Sequence, residues 1–139
     1  MSLDPEFLAA YYKADYVVFG DPEIVLHVGE KNARLDYLLE WLGRGTAAYV
    51  TAFNPHSRVR RETENLAAME RLKKELQVES GITLMEGEAR DPSGPWPPEP
   101  SFLVVGIRRA QAEALGRRLE QNAIVFAEKG RAPELLVLS

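Results

Sequence analysis

The chain has 139 residues, of which 45% are hydrophobic and 27% charged, a size and composition that predict one soluble domain over residues 1–139. It has no cysteine, which excludes disulfides, zinc–thiolate sites, iron–sulfur clusters and thiol nucleophiles. The formal net charge of −4 argues against a nucleic-acid partner, because nucleic-acid-binding domains usually carry a basic face.

The N-terminal third of the chain predicts two helices with a β-hairpin between them. The sequence DPE at residues 4–6 is typical of a helix start, with an acidic cap followed by proline at the first helical position. Residues 16–19 and 23–28 are strand-like and are separated by the turn sequence GDP. Residues 31–42 predict the second helix, because leucines recur there at spacings of three and four.

From Thr46 onward the predicted elements follow the order β-α-β-β-α-β, which is the ferredoxin-like pattern. The strands are predicted at residues 46–54, 81–86, 102–107 and 122–127. One helix is predicted from about residue 57 or 61 to residue 78, and the other at residues 109–120. The first and third strands are the most apolar, and the right-handed crossover rule also places them in the middle of the sheet. We therefore predict an α+β fold with a ferredoxin-like core at about residues 46–128. The N-terminal helix, hairpin and helix and a C-terminal strand at residues 134–138 extend this core.

The segment before the third core strand, DPSGPWPPEPS at residues 91–101, contains five prolines and is called the proline loop below. Proline fixes φ and removes a hydrogen-bond donor, so this segment is stiff although it is predicted to be irregular. It places Trp96, Glu99 and Ser101 directly before the apolar sequence FLVVGI. A rigid loop that holds these side chains at the mouth of a buried strand predicts part of a functional site.

An antiparallel sheet of this topology brings polar side chains from distant parts of the sequence to one end. The predicted ligand-binding set is Asn54, Asn65, Trp96, Glu99, Ser101, Gln121 and Asn122. Asn65 belongs to it as the polar member of the buried stripe of the long helix, where an amide without partners costs about 1–3 kcal/mol. Amides and a carboxylate suit a base, a sugar or an amide. The alternative is a structural network that ties the proline loop to the sheet.

Glu99 is the candidate catalytic residue. The flanking Pro98 and Pro100 exclude water, which predicts a raised pKa suited to general acid–base chemistry. The alternative is a carboxylate that accepts bonds from backbone amides. His56 is predicted to lie exposed in a turn, and Trp96 to pack against the domain as an anchor for the proline loop.

Four pieces of sequence resemble a known family. They are TAFNP at residues 51–55, Asn65 within TENLAAMERL, WPPEPSFLVVGI at residues 96–107 and QNAIVF at residues 121–126. Together they resemble an uncharacterised bacterial family of domains of unknown function, number 3293, with the signatures T-A-x-N-P, W-x-P-E-x-S and Q-N-A. The third signature usually follows Phe-Gly, where this chain has Leu119 and Glu120. The family has no established activity, so the resemblance implies a residue pattern and no chemistry.

Three functions are open at this point. The first is a small domain that binds a polar small molecule or a nucleotide-like ligand at one end of its sheet. The second is a hydrolase- or transferase-like enzyme that uses Glu99 as acid and base. The third is a homo-oligomeric interaction or regulatory module, for example a homodimer, that pairs through the apolar edge at residues 135–138.

Location and cofactors are predicted from what the sequence lacks. No apolar run approaches the roughly 20 residues that span a bilayer, so we expect no membrane partner. Residues 1–12 have neither a basic region nor a small-residue cleavage site, and together with the lack of cysteine this predicts a cytoplasmic protein. Neither a phosphate-loop pattern nor metal-ligand spacing is present, so we expect no cofactor and no metal.

Overall fold

The computed structural model describes residues 4–138, which form a mixed α/β fold around one antiparallel sheet. The strands are β1 (Asp15–Val18), β2 (Ile24–Leu26), β3 (Thr46–Val50), β4 (Thr83–Arg90), β5 (Glu99–Val105), β6 (Ala123–Glu128) and β7 (Glu134–Val137). The helices are α1 (Pro5–Lys13), α2 (Ala33–Leu42), α3 (Glu62–Gln77) and α4 (Arg109–Arg118), and a short 3-10 turn at Pro55–Ser57 precedes α3. None of these helices has the length and apolar character of a membrane span.

The sheet has seven strands in the order β2-β1-β4-β5-β3-β6-β7. β3 and β5 are neighbours in its interior, which confirms the position predicted from their apolar composition. The hairpin of β1 and β2 adds to β4, and β7 adds to β6, so both predicted extensions are confirmed. The register pairs Val50 with Phe102 and Tyr49 with Val125, which brings the end of β3 beside the starts of β5 and β6.

Helices cover both faces of the sheet, because successive residues of its central strands point to opposite sides and both sides are apolar. On one face Val104 packs in a cluster with Leu72 of α3 and Leu115 of α4. On the other face Leu103 packs in a cluster with Leu39 of α2. α1 also lies on this second face, over one end of the sheet, where it meets side chains of β1 and β3.

Element boundaries near the end of β3 differ from the sequence prediction. β3 ends at Val50 rather than Asn54, and α3 begins at Glu62 after an irregular segment. β5 begins at Glu99, three residues before the predicted start at Phe102. The last residues of the proline loop therefore belong to a strand, and the position of Glu99 is fixed by the sheet.

Pro100 can lie inside β5 because it is past the end of β3. It pairs with Glu88 of β4, and its carbonyl accepts a hydrogen bond from Thr51 Oγ1 at 2.7 Å. The backbone polar groups of Pro100 thus face the β3 side, where the pairing with β5 starts only at Phe102. The missing N–H of this proline removes no bond from the ladder, which is the condition under which strands accept proline.

Candidate functional site

A cavity of about 160 Å³ opens at one end of the sheet, on the face that α2 covers elsewhere. Tyr16, Tyr49 and Val125 form its floor, from β1, β3 and β6. α1 lies along one side, and Trp96 and Pro97 of the proline loop lie at the mouth. Most of the surface of the lining is apolar.

Glu99 and Ser101 reach the cavity because they are two residues apart in β5, on the same side of the strand as Leu103. Ser101 is buried, and its hydroxyl donates to the backbone carbonyl of Glu99 at 2.9 Å. The Glu99 carboxyl is half-buried, and no ion pair among residues 4–138 involves it. It is therefore a partly desolvated acid without a charged protein partner in the described part of the chain.

Burial raises the pKa of Glu99 to about 7. This confirms the direction predicted from the flanking prolines, but Pro98 itself is exposed. The cavity wall, rather than this proline, keeps water away from the carboxyl. A carboxyl that titrates near neutral pH can both donate and accept a proton under physiological conditions.

Tyrosine rings from α1, β1 and β3 lie near the Glu99 side chain. Tyr16 and Tyr49 meet edge-on, with ring centroids 5.3 Å apart. Their hydroxyls donate hydrogen bonds to the backbone. Tyr16 donates to the Tyr11 carbonyl at 2.6 Å, and Tyr49 donates to the Val17 carbonyl at 2.7 Å. Burial raises the pKa of both phenols, and the nearby carboxyl of Glu99 raises them further. Both rings therefore stay neutral at physiological pH and present hydrocarbon to the cavity.

The turn between β3 and α3, NPHS at residues 54–57, has an unusual backbone and is called the NPHS turn below. Asn54, His56 and Ser57 have φ angles of 43°, 56° and 59°. This left-handed region is strained for residues other than glycine. The turn places Ser57 at the cavity. His56 is exposed, as predicted.

The amide side chains of Asn65 on α3 and Asn122 before β6 hold the NPHS turn. Asn65 Oδ1 accepts the Asn54 N–H at 2.9 Å, and Asn65 Nδ2 donates to Asn54 Oδ1 at 2.8 Å. Arg60 Nε also donates to Asn65 Oδ1, and Asn122 Nδ2 donates to Ser57 Oγ at 2.8 Å. Every buried side-chain nitrogen and oxygen in the described residues has a partner. These bonds offset the backbone strain of the turn.

The structure divides the predicted ligand-binding set into two groups. Asn54, Trp96, Glu99, Ser101 and Gln121 line the cavity. Asn65 and Asn122 lie behind the NPHS turn and bond to it. Asn65 is the polar residue of the buried α3 stripe, as predicted, and its amide donates to Asn54 Oδ1. The part these residues play in ligand binding stays a prediction.

The aromatic side chains that α1 and β1 bring to the cavity were not predicted from the sequence. The rings of Phe7 and Trp96 lie 5.9 Å apart at a tilt of 53°, which joins α1 to the proline loop across the mouth. Trp96 is 47% exposed, so this contact anchors the loop to α1 rather than to the core. The available signal was the four aromatic residues in FLAAYYKADY, residues 7–16, a segment that runs from α1 into β1.

Comparison with known proteins gives a family and no relative of known activity. No curated protein and no solved structure matches the chain. The model of the family described as "Protein of unknown function (DUF3293)" matches residues 50–124, more than half of the chain. This range contains the whole predicted ligand-binding set and leaves out α1, β1 and β2. The chain therefore belongs to the DUF3293 family, as its three motifs indicated.

Proposed function

We propose that the protein binds a small polar organic ligand in the cavity beside Glu99. The observation that carries this proposal is a half-buried carboxyl that faces a mostly apolar cavity and has no ion-pair partner among the described residues. Acidic side chains this far from water are normally paired. A carboxyl without a partner suits a ligand that completes its bonds on binding.

The volume of the cavity limits the size of the ligand. A protein cavity of about 150 Å³ holds a molecule of the size of benzene. The cavity of about 160 Å³ therefore admits one ring or a short chain. A nucleotide-like ligand would place its base among the tyrosines and leave its sugar and phosphates at the mouth, near Trp96.

α1 is the element that a ligand displaces on entry. It has no buried residue, although its inner side lines the cavity. It is held by the bond from Tyr16 to the Tyr11 carbonyl and by the contact between Phe7 and Trp96. An element with so little buried surface opens at a low cost in free energy compared with the sheet.

The same proposal includes a ferredoxin-like unit at about residues 46–128. The order β4-β5-β3-β6 supports it, together with the packing of α3 and α4 against one face. The N-terminal extension then contributes part of the cavity. It adds α1 and β1 over the other face, and side chains of both elements line the cavity.

A second candidate function is a hydrolase or transferase that uses Glu99 as general acid and base. The pKa of about 7 favours it, because proton transfer is most efficient when the pKa of the acid or base is close to the working pH. The Ser101 hydroxyl donates to a backbone carbonyl and not to a basic side chain, so it is not an activated nucleophile. In this mechanism water or a second substrate would be the nucleophile.

A thermal-shift screen of small polar molecules, followed by NMR titration, tests the binding proposal. The cavity is blocked by Ala10→Trp, which places a large ring on the inner side of α1, and circular dichroism verifies that this variant folds. Glu79→Gln is a matched control at an exposed position. We expect a ligand to raise the Tm of the wild type and of Glu79→Gln but not of Ala10→Trp. A ligand that stabilises the blocked variant equally would show binding elsewhere and overturn the proposal.

A further inference from the structure

The charges around the cavity indicate the class of its ligand, an inference that rests on the proposed function. The charged side chains of the lining are Arg90, Asp91 and Glu99. Arg90 lies 2.7 Å from a carboxylate oxygen of Glu88 and 3.3 Å from one of Glu23. Its positive charge is thus matched by two acids outside the lining. In the described part of the chain, the surroundings of Glu99 carry an excess of negative charge.

Four of the six side chains with a hydroxyl group in the lining have no hydrogen to offer an anionic ligand. Tyr16, Tyr49, Thr51 and Ser101 each donate to a backbone carbonyl, at distances between 2.6 and 2.9 Å. A hydroxyl has one hydrogen, so these four groups have none to offer an anion. A phosphate or carboxylate would meet the charge of Glu99 without gaining their hydrogen bonds.

We propose that the cavity binds a small organic cation, an alkylammonium or guanidinium group held between the Glu99 carboxylate and the rings of Tyr11, Tyr16 and Tyr49. The faces of aromatic rings attract cations, and the attraction is stronger where water is excluded. The cation also supplies the charged partner that Glu99 lacks. Trp96, at the mouth, adds the ring type that attracts cations most strongly.

If the ligand is a cation, its affinity for the cavity depends on pH. In the free protein, burial raises the pKa of Glu99 to about 7. A cation binds the ionised carboxylate, so it lowers this pKa, and its affinity rises as pH increases through 7. About one-tenth of the carboxyl is ionised at pH 6, so we expect roughly tenfold weaker binding there than at pH 8.

We attribute this pH dependence to Glu99 itself and not to the groups that face it. Burial raises the pKa of Tyr11, as it does for the other two tyrosines, so all three stay neutral between pH 6 and 8. The charged neighbours are Glu88 and Arg90 of β4, which bond to each other, and Asp91, which accepts the backbone N–H of Trp96. No histidine lines the cavity within the described residues.

NMR titration of the full chain tests the assignment. The probes are methylammonium, tetramethylammonium, guanidinium and choline, with 3,3-dimethyl-1-butanol as the neutral isostere of choline and benzoate as an anion. We expect at least one cation to shift resonances of the cavity lining. We expect choline, if it is that cation, to bind at least tenfold more tightly than its isostere. Glu99→Gln should lose the preference for cations and Glu79→Gln should keep it, and wild-type affinity should fall about tenfold from pH 8 to pH 6.

The outcomes separate this inference from the proposed function. Equal binding of the cation and a neutral probe, or binding of benzoate, would overturn the cation assignment and leave a ligand-binding cavity in place. Affinity of the wild type that does not change between pH 6 and pH 8 would also overturn it, and this measurement needs no variant to fold. If none of the cations binds, the assignment fails. The comparison with Ala10→Trp in the wider screen then decides whether the cavity binds anything.

Discussion

Two polar regions meet at the same end of the sheet and differ in how fully their hydrogen bonds are made. In the NPHS turn, the amides of Asn54, Asn65 and Asn122 are bonded to one another or to Ser57. In the cavity, Glu99 has no charged partner among the described residues, although it is half-buried as well. Polar residues that one topology brings together can therefore have different roles. The amides hold a strained backbone, and in our proposal the carboxyl binds a ligand.

Replacing Asn65 tests most directly whether the amides hold the NPHS turn. Asn65→Ala deletes the side chain that bonds the Asn54 backbone, the Asn54 side chain and Arg60. Because these groups are left partly desolvated without partners, we expect a loss of about 3 kcal/mol in the free energy of unfolding, measured by urea denaturation.

Glu70→Ala is the matched control, because Glu70 is exposed on the same helix. It should change the free energy of unfolding by less than about 0.5 kcal/mol. A loss from Asn65→Ala that is no larger than this would show that the turn holds its conformation without the amide. The contrast drawn between the NPHS turn and the cavity would then be wrong.

The pH dependence of stability tests whether the cavity desolvates Glu99. Glu99 has a pKa near 7 in the folded protein and an ordinary, lower one when unfolded, so the folded state binds more protons between about pH 4.5 and 7. The wild type should therefore lose stability as pH rises through this window, by an amount on the order of 2–3 kcal/mol. Glu99→Gln has no such titration and should be more stable than the wild type at pH 8.

Urea unfolding at pH 5 and pH 8 measures this effect for the wild type, Glu99→Gln and Glu79→Gln. The Glu79→Gln control should follow the wild type, since its carboxyl is exposed. Parallel pH profiles for the wild type and Glu99→Gln would mean that the cavity does not desolvate Glu99. The carboxyl would then be no different in kind from the acids of the surface.

Much of the fold follows from the sequence, because alternation and apolar runs report which faces of each strand are buried. The same geometry correctly placed the end of β3 beside the starts of β5 and β6. The start of β5 was missed because proline usually ends a strand, whereas Pro100 lies where no partner needs its N–H. The aromatic side of the cavity was missed because it depends on the docking of α1. That docking joins Phe7 to Trp96 across most of the chain, and no local pattern encodes it.

A smaller effect is expected at the bond that ties α1 to β1. Tyr16→Phe removes the hydroxyl that donates to the Tyr11 carbonyl at 2.6 Å and leaves the ring in place. We expect a loss of about 1 kcal/mol in stability and faster hydrogen exchange of the α1 amides. Tyr12→Phe is the control, because Tyr12 is 54% exposed. Equal effects of the two variants would show that this bond does not hold the helix.

The smallest effect concerns the mouth of the cavity. Trp96→Ala removes the ring that contacts Phe7, and because Trp96 is half-exposed we expect a loss of only about 0.5–1 kcal/mol. The change should be local: hydrogen exchange of the α1 amides becomes faster, while that of β3 and β5 stays as in the wild type. Trp41→Ala, at a more exposed tryptophan on α2, should leave α1 unchanged. If exchange in α1 is the same in both variants, the proline loop does not hold the helix. Access to Glu99 would then be controlled by α1 and β1 alone.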